Sequence, residues 1–526
     1  MLNVRIDKLP PDRKTSSKDC HSCYRRRIRC DRSLPKCRKC MIRGLSCPGF
    51  GRIQLKWDQG VASRGVFAGR RTPVRQKAPA MTTKRGVVQS NTSNCASQTV
   101  GQDGVRHDKH GPELSLAFLS SPTADRSLFE GHSSLTILTK LFSHFINSVA
   151  PRLTWIDSPD HPWRMVILPL ARRCSFLHMA ILSAAAAHSR FTSAESAPYA
   201  LFLGDVSQSL RDTCVRRVNG AIQHELELFA HGNLQTDQNS LIEILATTLV
   251  LCYGEMVVPG STNWRLHLHA CRILIERQQW REGETRLSDP VACFLLKEVA
   301  DLEVFYSLGT FTNNRVSPVS ALPQSIFSNH FRTFTGLLHE ITAEERQRYQ
   351  MMKNIQTLPS VDMGVWRHKA KDARAQALAD TLWLSAQDEY MRNRIDSLLQ
   401  AYYHASIIYS YQLLASLTER TSIVQILIPQ LLREIEEFTT GSIHMFSHNI
   451  FLPLFIAGTE CWSDGRLQEL IDELFLRLVS TTGLWCNYSA MHFLRAFWAR
   501  PEYHGIGKWY QFARENEKGN TQFIIF

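Results

Sequence analysis

The chain has 526 residues, of which 44% are hydrophobic and 21% charged, so it is too long for one ordinary domain and too apolar to be wholly disordered. Its formal net charge is +13, but residues 1–110 hold 25 Lys/Arg against 7 Asp/Glu, while the remainder holds 36 against 41. A balance of +18 in the first fifth and −5 in the rest excludes a uniformly basic membrane-surface protein and fits a nucleic-acid-binding head on a mildly acidic body.

Residues 1–19 are a polar, charged tail without the apolar stretch of a secretory leader. Six cysteines follow, Cys20, Cys23, Cys30, Cys37, Cys40 and Cys47, spaced C-x2-C-x6-C-x6-C-x2-C-x6-C, so that C-x2-C-x6-C occurs twice. A C-x2-C step turns two thiolates onto one metal ion, and tetrahedral zinc takes four ligands. Two zinc ions need eight ligand positions, and six cysteines fill them when two sulfurs bridge. Three disulfides, or one Cys₄ site with two cysteines stranded, are the competing readings; the polar tail speaks against the first. Between Cys23 and Cys30 runs Tyr-Arg-Arg-Arg-Ile-Arg, expected as a short helix that carries Arg25, Arg26, Arg27 and Arg29. Two zinc ions and six thiolates carry a net −2. Four arginines exceed what that charge needs, and guanidinium forks match phosphates and the O6/N7 edge of guanine.

From Cys20 to Cys47, without a gap, the stretch resembles the binuclear zinc-cluster (Zn₂Cys₆) DNA-binding domain of fungal transcription factors. Pro35, two residues before the fourth cysteine, stands where that family turns between its halves. The resemblance implies two zinc ions, with Cys20 and Cys37 as the bridging ligands. It also implies Arg26 and Arg27 on base edges of a G-rich, CGG-like site; Arg25, Arg29, Arg32 and Lys36 are then read on or near phosphates. Tyr24 departs from the basic residue usual after the second cysteine.

Residues 48–57, Pro-Gly-Phe-Gly-Arg-Ile-Gln-Leu-Lys-Trp, read as a turn and a short apolar-basic segment that packs back on the cluster or lies along DNA. Residues 58–130 read as a basic disordered linker, because apolar residues recur there with no period and cannot offset the entropy of ordering. Arg70-Arg71 and Lys84-Arg85 within it suit a nuclear import signal and suit ordinary solvated charge as well. No sustained heptad pattern marks a coiled coil.

From 131 to 526 the periodicity becomes helical. Ser134 is expected to cap a helix with Leu135, Leu138, Phe142, Phe145 and Val149 on one face, ended by Pro151. Phe176 to Ser189 holds the helix-forming run Ala184 to Ala187. Val206, Leu210, Cys214, Val218, Ile222 and Leu226 recur every four residues, a long one-sided helix. Leu241 to Val250, apolar nearly all round, is expected at the centre; Leu241 to Val258, the best candidate for a membrane span, is interrupted by Glu243 and Glu255 and reads as a buried helix. Met391 to Leu414 and Leu467 to Val479 are helical too, and alternation of β-branched residues is scarce. The body reads as all-α, built of packed antiparallel helices. The eight cysteines outside the cluster lie singly, most in apolar surroundings, as small buried hydrophobes of a reducing compartment.

This body resembles a second family, the fungal-specific transcription factor domain. The pieces that match are His161-Pro162-Trp163-Arg164 with Leu168-Pro169-Leu170, then Trp264-x-x-His267-Leu268-x-Ala270, then Ala405 to Tyr409, and Pro453 to Gly458. Catalytic signatures are missing: there is no H-E-x-x-H, no G-x-S-x-G, no dinucleotide fingerprint, and Gly505-Ile506-Gly507-Lys508 runs into Trp509 instead of completing a P-loop. Trp264 and His267, one helical turn apart, read as core packing ahead of a ligand pocket. Taken together, these expectations describe no enzyme but a nuclear, sequence-specific regulator of RNA polymerase II transcription. Its partners would be double-stranded DNA, a second copy of itself and transcription co-regulators, with no membrane. The alternative is a zinc-cluster scaffold that binds proteins without specific DNA recognition.

Overall fold

The computed structural model describes residues 19–47 except 21, 24, 25, 27, 35 and 46, and residues 132–526 except 159, 194–195, 231–237, 278–288, 312–331, 354–358, 386–388, 441–445 and 518–522. The expectations for the tail, for residues 48–57 and for the linker lie outside the described residues. The chain divides into two compact units, Met1–His107 and Asp108–Phe526, and the division falls within the stretch read as linker. Among the described residues all regular structure is helical and no extended strand occurs.

Among the described residues of the first unit, a helical segment begins inside each C-x2-C step, at Ser22 and at Arg38. The second of these is helix α1, Arg38–Ile42, whose N-cap is Cys37: the Cys37 sulfur accepts the Cys40 amide. Gly44 closes the turn at φ 63, in the left-handed region that only glycine adopts freely.

The second unit begins with α2, His132–His144, which runs on through a π-helical turn, Phe145–Val149, and a 3₁₀ turn, Ala150–Leu153. The helix already starts at His132, so Ser134 lies inside its first turn and does not cap it. Leu138, Leu141, Phe145 and Val149 form the buried face. After α3, Leu168–Arg173, come α4, Ser175–Thr192, and α5, Ala197–Ala230. The alanine run Ala184–Ala187 is buried, which lets neighbouring backbones come close: a Cβ on Gly254 would sit 3.5 Å from that of Ala184. Gly254 belongs to α6, Gln238–Met256, the helix expected at the centre, and its Leu241–Val250 segment is buried except at Glu243. Helix α7 is Trp264–Arg277 and α8 is Pro290–Ser307, the latter capped by the Asp289 carboxylate on the Val291 amide at 2.9 Å.

Helix α9 is Arg332–Lys353, and three long helices follow: α10, Met363–Ser385, α11, Glu389–Leu414, and α12, Leu417–Thr439. α4 packs on α5 and α6, and α11 packs on α10 and α12. Short connections make such consecutive neighbours antiparallel. Helix α13, Phe451–Thr459, is buried along all nine residues. Helices α14, Gly465–Thr482, α15, Tyr488–Trp498, and α16, Trp509–Asn516, close the unit. No described helix is long and apolar enough to cross a membrane.

Polar groups inside this unit are matched across distant elements. His144 Nε2 and His188 Nδ1 are 2.9 Å apart, and His188 Nε2 lies 3.0 Å from the Thr482 carbonyl, which fixes His188 as a donor to that oxygen. Burial, then the charges of Arg152 and His144, push His188 down to about 3, so the pair stays neutral. Just past α13, the Glu460 carboxylate accepts the Gln412 amide at 2.6 Å and the Gly507 backbone amide at 2.8 Å.

Burial raises the Glu460 carboxyl to about 7 in spite of those donors. Its unfolded value is about 4.3, so the folded state binds the proton more tightly. The stability contributed is full below about pH 4 and is lost as the pH rises toward about 7. Glu460→Gln keeps an oxygen acceptor and removes the ionisation. Its melting temperature should exceed that of the wild type at pH 8 and converge with it by pH 5; parallel melting curves across that range would contradict the assignment.

Candidate metal centre and nucleic-acid interface

The repeated cysteine spacing folds twice in the same way. The Cys20 amide donates to Cys30 Sγ at 3.5 Å, and the Cys37 amide to Cys47 Sγ at 3.4 Å. The Cys23 amide donates to Cys20 Sγ at 3.5 Å, and the Cys40 amide to Cys37 Sγ at 3.3 Å. The Ile28 amide reaches the Cys23 carbonyl at 3.1 Å, and the Leu45 amide the Cys40 carbonyl at 3.0 Å. Each member of a pair lies 17 residues from its counterpart, the separation of Cys20 from Cys37.

All six sulfurs are buried. Those of Cys20, Cys23, Cys30 and Cys37 lie within 4.8 Å of one another, as do those of Cys20, Cys37, Cys40 and Cys47. Cys20 and Cys37 belong to both sets, with sulfurs 3.4 Å apart. Cys20 to Cys40 and Cys23 to Cys37 each measure 3.8 Å. Four thiolates at the usual zinc–sulfur distance of about 2.3 Å are separated by about 3.8 Å around a tetrahedron, so the donor sets fit zinc in both chemistry and spacing. Burial, followed by the neighbouring thiols, raises Cys23; burial also raises Cys37 and Cys40. Cys20 drops to about 7: burial would raise it, but the Cys23 amide and the adjacent thiols outweigh that.

A residue outside every motif of the sequence holds the second half in place. Asp31 is buried, and its carboxylate accepts the Ser33 hydroxyl, the Arg38 amide at 3.0 Å and the Lys39 amide at 3.2 Å. It therefore caps α1 from seven residues upstream. Burial raises its carboxyl, but the Ser33, Arg38 and Lys39 donors outweigh this and leave it below the ordinary range. No capping-box spacing announces a cap at that distance.

Of the basic residues expected at DNA, Arg26, Arg29 and Lys36 are exposed. Arg32 adopts φ 56 and places Nε 2.5 Å from the Asp19 carboxylate, so a phosphate would have to share it with that partner. Arg25 and Arg27 lie outside the described residues. The second half shows a different surface, with Met41 51%, Ile42 70% and Leu45 42% exposed. Trp264, in the second unit, is buried edge-on to Tyr306 at 5.3 Å, which agrees with core packing.

Known proteins resemble the chain at two scales. The profile of the family described as "Fungal specific transcription factor domain" matches residues 140–521. Over 59 residues the chain is 42% identical to the acriflavine sensitivity control protein acr-2 of Neurospora crassa, and that match spans about 10% of either chain. No solved structure matches.

Native mass spectrometry of the full chain should find two zinc ions; a single ion, or three disulfides, would exclude the shared-sulfur arrangement. Asp31→Ala removes the cap of α1, worth about 0.5–2 kcal/mol. That variant should surrender its metal at a lower chelator concentration than the wild type. Asp31→Asn, which keeps an acceptor for the amides, should fall between the two, and equal release by all three would show that the cap is irrelevant to the centre.

Proposed function

The chain belongs to the fungal-specific transcription factor domain family and is a transcription regulator, not an enzyme; from that footing we propose that residues 1–57 are a binuclear zinc-cluster domain that binds specific DNA in the nucleus. Two zinc ions are held by Cys20, Cys23, Cys30, Cys37, Cys40 and Cys47, with Cys20 and Cys37 shared. The observation that carries this reading is the pair of sulfur quartets with those two members in common. When bound, the metal would supply rigidity and no reaction chemistry to the loop between Cys23 and Cys30. Arg26 and Arg27 read base edges of a G-rich, CGG-like promoter site, and Arg25, Arg29, Arg32 and Lys36 hold phosphates. Residues 58–130 tether this head to the helical body, residues 131–526, which binds co-regulators or a second copy of the chain and sets the output at RNA polymerase II promoters.

One observation favours a second reading. Met41, Ile42 and Leu45 are exposed on the second half of the cluster, and such apolar side chains suit a protein partner better than a phosphate backbone. A zinc-cluster scaffold without specific DNA binding would use them.

The two readings part in a binding experiment on the full chain, with a G-containing site and random DNA compared across a salt series. Loss of a base reader, as in Arg26→Ala or Arg27→Ala, should cost about 1–3 kcal/mol on the preferred site and little on random DNA. Lys36→Ala should weaken both equally and lower the salt slope by about one unit. A wild-type protein with no preference at any salt would favour the scaffold. If Arg27→Ala and Lys36→Ala behave alike, the division of roles is wrong.

A further inference from the structure

Beyond α2 the chain turns through Ala150–Leu153 and forms one wall of a pocket in the second unit. Its empty space, open mouth included, is about 800 Å³. Six rings line it, those of Trp155, Tyr253, Phe294, Phe305, Tyr402 and Phe526, beside aliphatic, polar and charged side chains. The rings touch in series. Trp155 stands edge-on to Tyr402 at 5.3 Å and lies 6.0 Å from Phe305, and Phe526 lies 6.5 Å from Phe305 and 5.3 Å from Tyr253. The wall is clamped from the far end of the sequence: His448 Nε2 donates to the Thr154 carbonyl at 2.5 Å, and Asn449 Nδ2 to the Trp155 carbonyl at 2.6 Å. Those bonds hold the backbone beside the rings in one place, as a preformed site requires.

Two sets of charges reach this pocket, and they differ in kind. On α8, Lys297 Nζ lies 2.7 Å from Glu298 and 3.1 Å from Asp301. The second oxygen of Glu298 accepts Trp163 Nε1 at 3.2 Å and the Tyr253 hydroxyl at 3.1 Å. Burial, ahead of every other cause, raises the Glu298 carboxyl, and each charge of this trio has a partner of opposite sign within it. Arg152 is not balanced in that way. Its guanidinium meets the Ser148 carbonyl, and no carboxylate among the described residues lies within ion-pair distance. Burial lowers its pKa, and no acid offsets the shift. The groups on which its charge acts are His144 and His188, both pushed down by burial first and by Arg152 second. A cation sheltered from water and left without a counter-charge is unfavourable unless something supplies one.

We infer that this pocket binds a small organic anion with a flat apolar body, a carboxylate of the aromatic or alicyclic class, with its charged end on Arg152 and its body among Trp155, Phe305 and Phe526. The guanidinium fork matches a carboxylate in a bidentate fashion, and the linked rings offer the apolar body faces and edges to pack on. Binding there would act on the junction of α2, α8 and the Ser447–Ile450 turn, and it is independent of what the zinc cluster recognises.

Three probes with one body separate the contributions: 2-naphthoate, 2-naphthylmethanol and 2-naphthylmethylammonium, titrated calorimetrically into the full chain. Naphthoate should bind about ten-fold or more tighter than the alcohol, as a charge-assisted pair implies, and the ammonium should bind most weakly. In Arg152→Gln the preference for naphthoate should vanish while affinity for the alcohol stays the same; Arg152→Lys should keep part of it. Should Arg152→Gln fail to fold, Arg152→Lys and the loss of the wild-type preference at high salt test the same pairing. Equal binding of anion and alcohol, tightest binding of the ammonium, no heat from any probe at millimolar concentration, or a preference that survives in Arg152→Gln would each overturn the inference.

Discussion

Two sulfurs 3.4 Å apart, those of Cys20 and Cys37, are the constraint on which the first unit depends. The six cysteines are its buried cluster, and the one hydrophobic residue found packed against them, among those described, is the partly buried Ile28. So few apolar side chains cannot offset the conformational entropy of an ordered chain. What remains are the sulfurs and the amides that donate to them, an arrangement of metal-ligand type; where such a module binds its metal, ligation and folding are one event. The second unit rests on the opposite resource. Its core runs from Leu138 to Ile525, with buried groups such as His188 kept neutral and Glu255 paired with Arg211.

The dispersed sequence pieces of the body acquire a reason in the structure. Trp163 is fully buried, donates to Glu298, and stands edge-on to both Tyr253 and Phe294 at 5.2 and 5.7 Å. Arg164 binds Asp157 and reaches the Ile146 carbonyl at 3.2 Å, which ties the π-helical turn to the segment that follows it. Gly458, at the end of the buried α13, accepts Trp498 Nε1 on its carbonyl at 2.9 Å, and a Cβ there would meet Leu494 at 2.6 Å. At Trp163 a polar group lies deep in the core, and at Gly458 two helices come too close for a larger side chain.

How much of this could be read in advance follows from the range of each interaction. The sulfur sets were legible because ligand chemistry writes its spacing into the chain, and the long helix Ala197–Ala230 was legible because Val206, Leu210, Cys214 and Val218 repeat at four residues. The cap by Asp31 was not, since it acts seven residues away across a bend set by the cysteines. Nor was the start of α2: a serine near an apolar run signals a cap only if the chain is not already helical, and here the helix begins at His132. The ion pair of Arg32 with Asp19 and the isolation of Arg152 are facts about which side chains fail or manage to meet, and no periodicity encodes that. The helical character of the body is written in its sequence because its long segments bury one-sided or fully apolar helices, as α5 and α13 do.

The repeat of the metal frame has a geometric consequence. Its two halves are built from the same amide-to-sulfur bonds, so the frame alone would look nearly alike from either side. The side chains break that equivalence: seventeen residues on, Tyr24, Arg25, Arg27 and Arg29 are replaced by Met41, Ile42, Gly44 and Ser46. Among the described residues the first half exposes Arg26 and Arg29, and the second exposes Met41, Ile42 and Leu45 beside Arg38 and Arg43. A partner that met this frame would find its two halves alike in backbone and unlike in side chains, so its orientation would be set by those side chains and not by the repeated sulfurs.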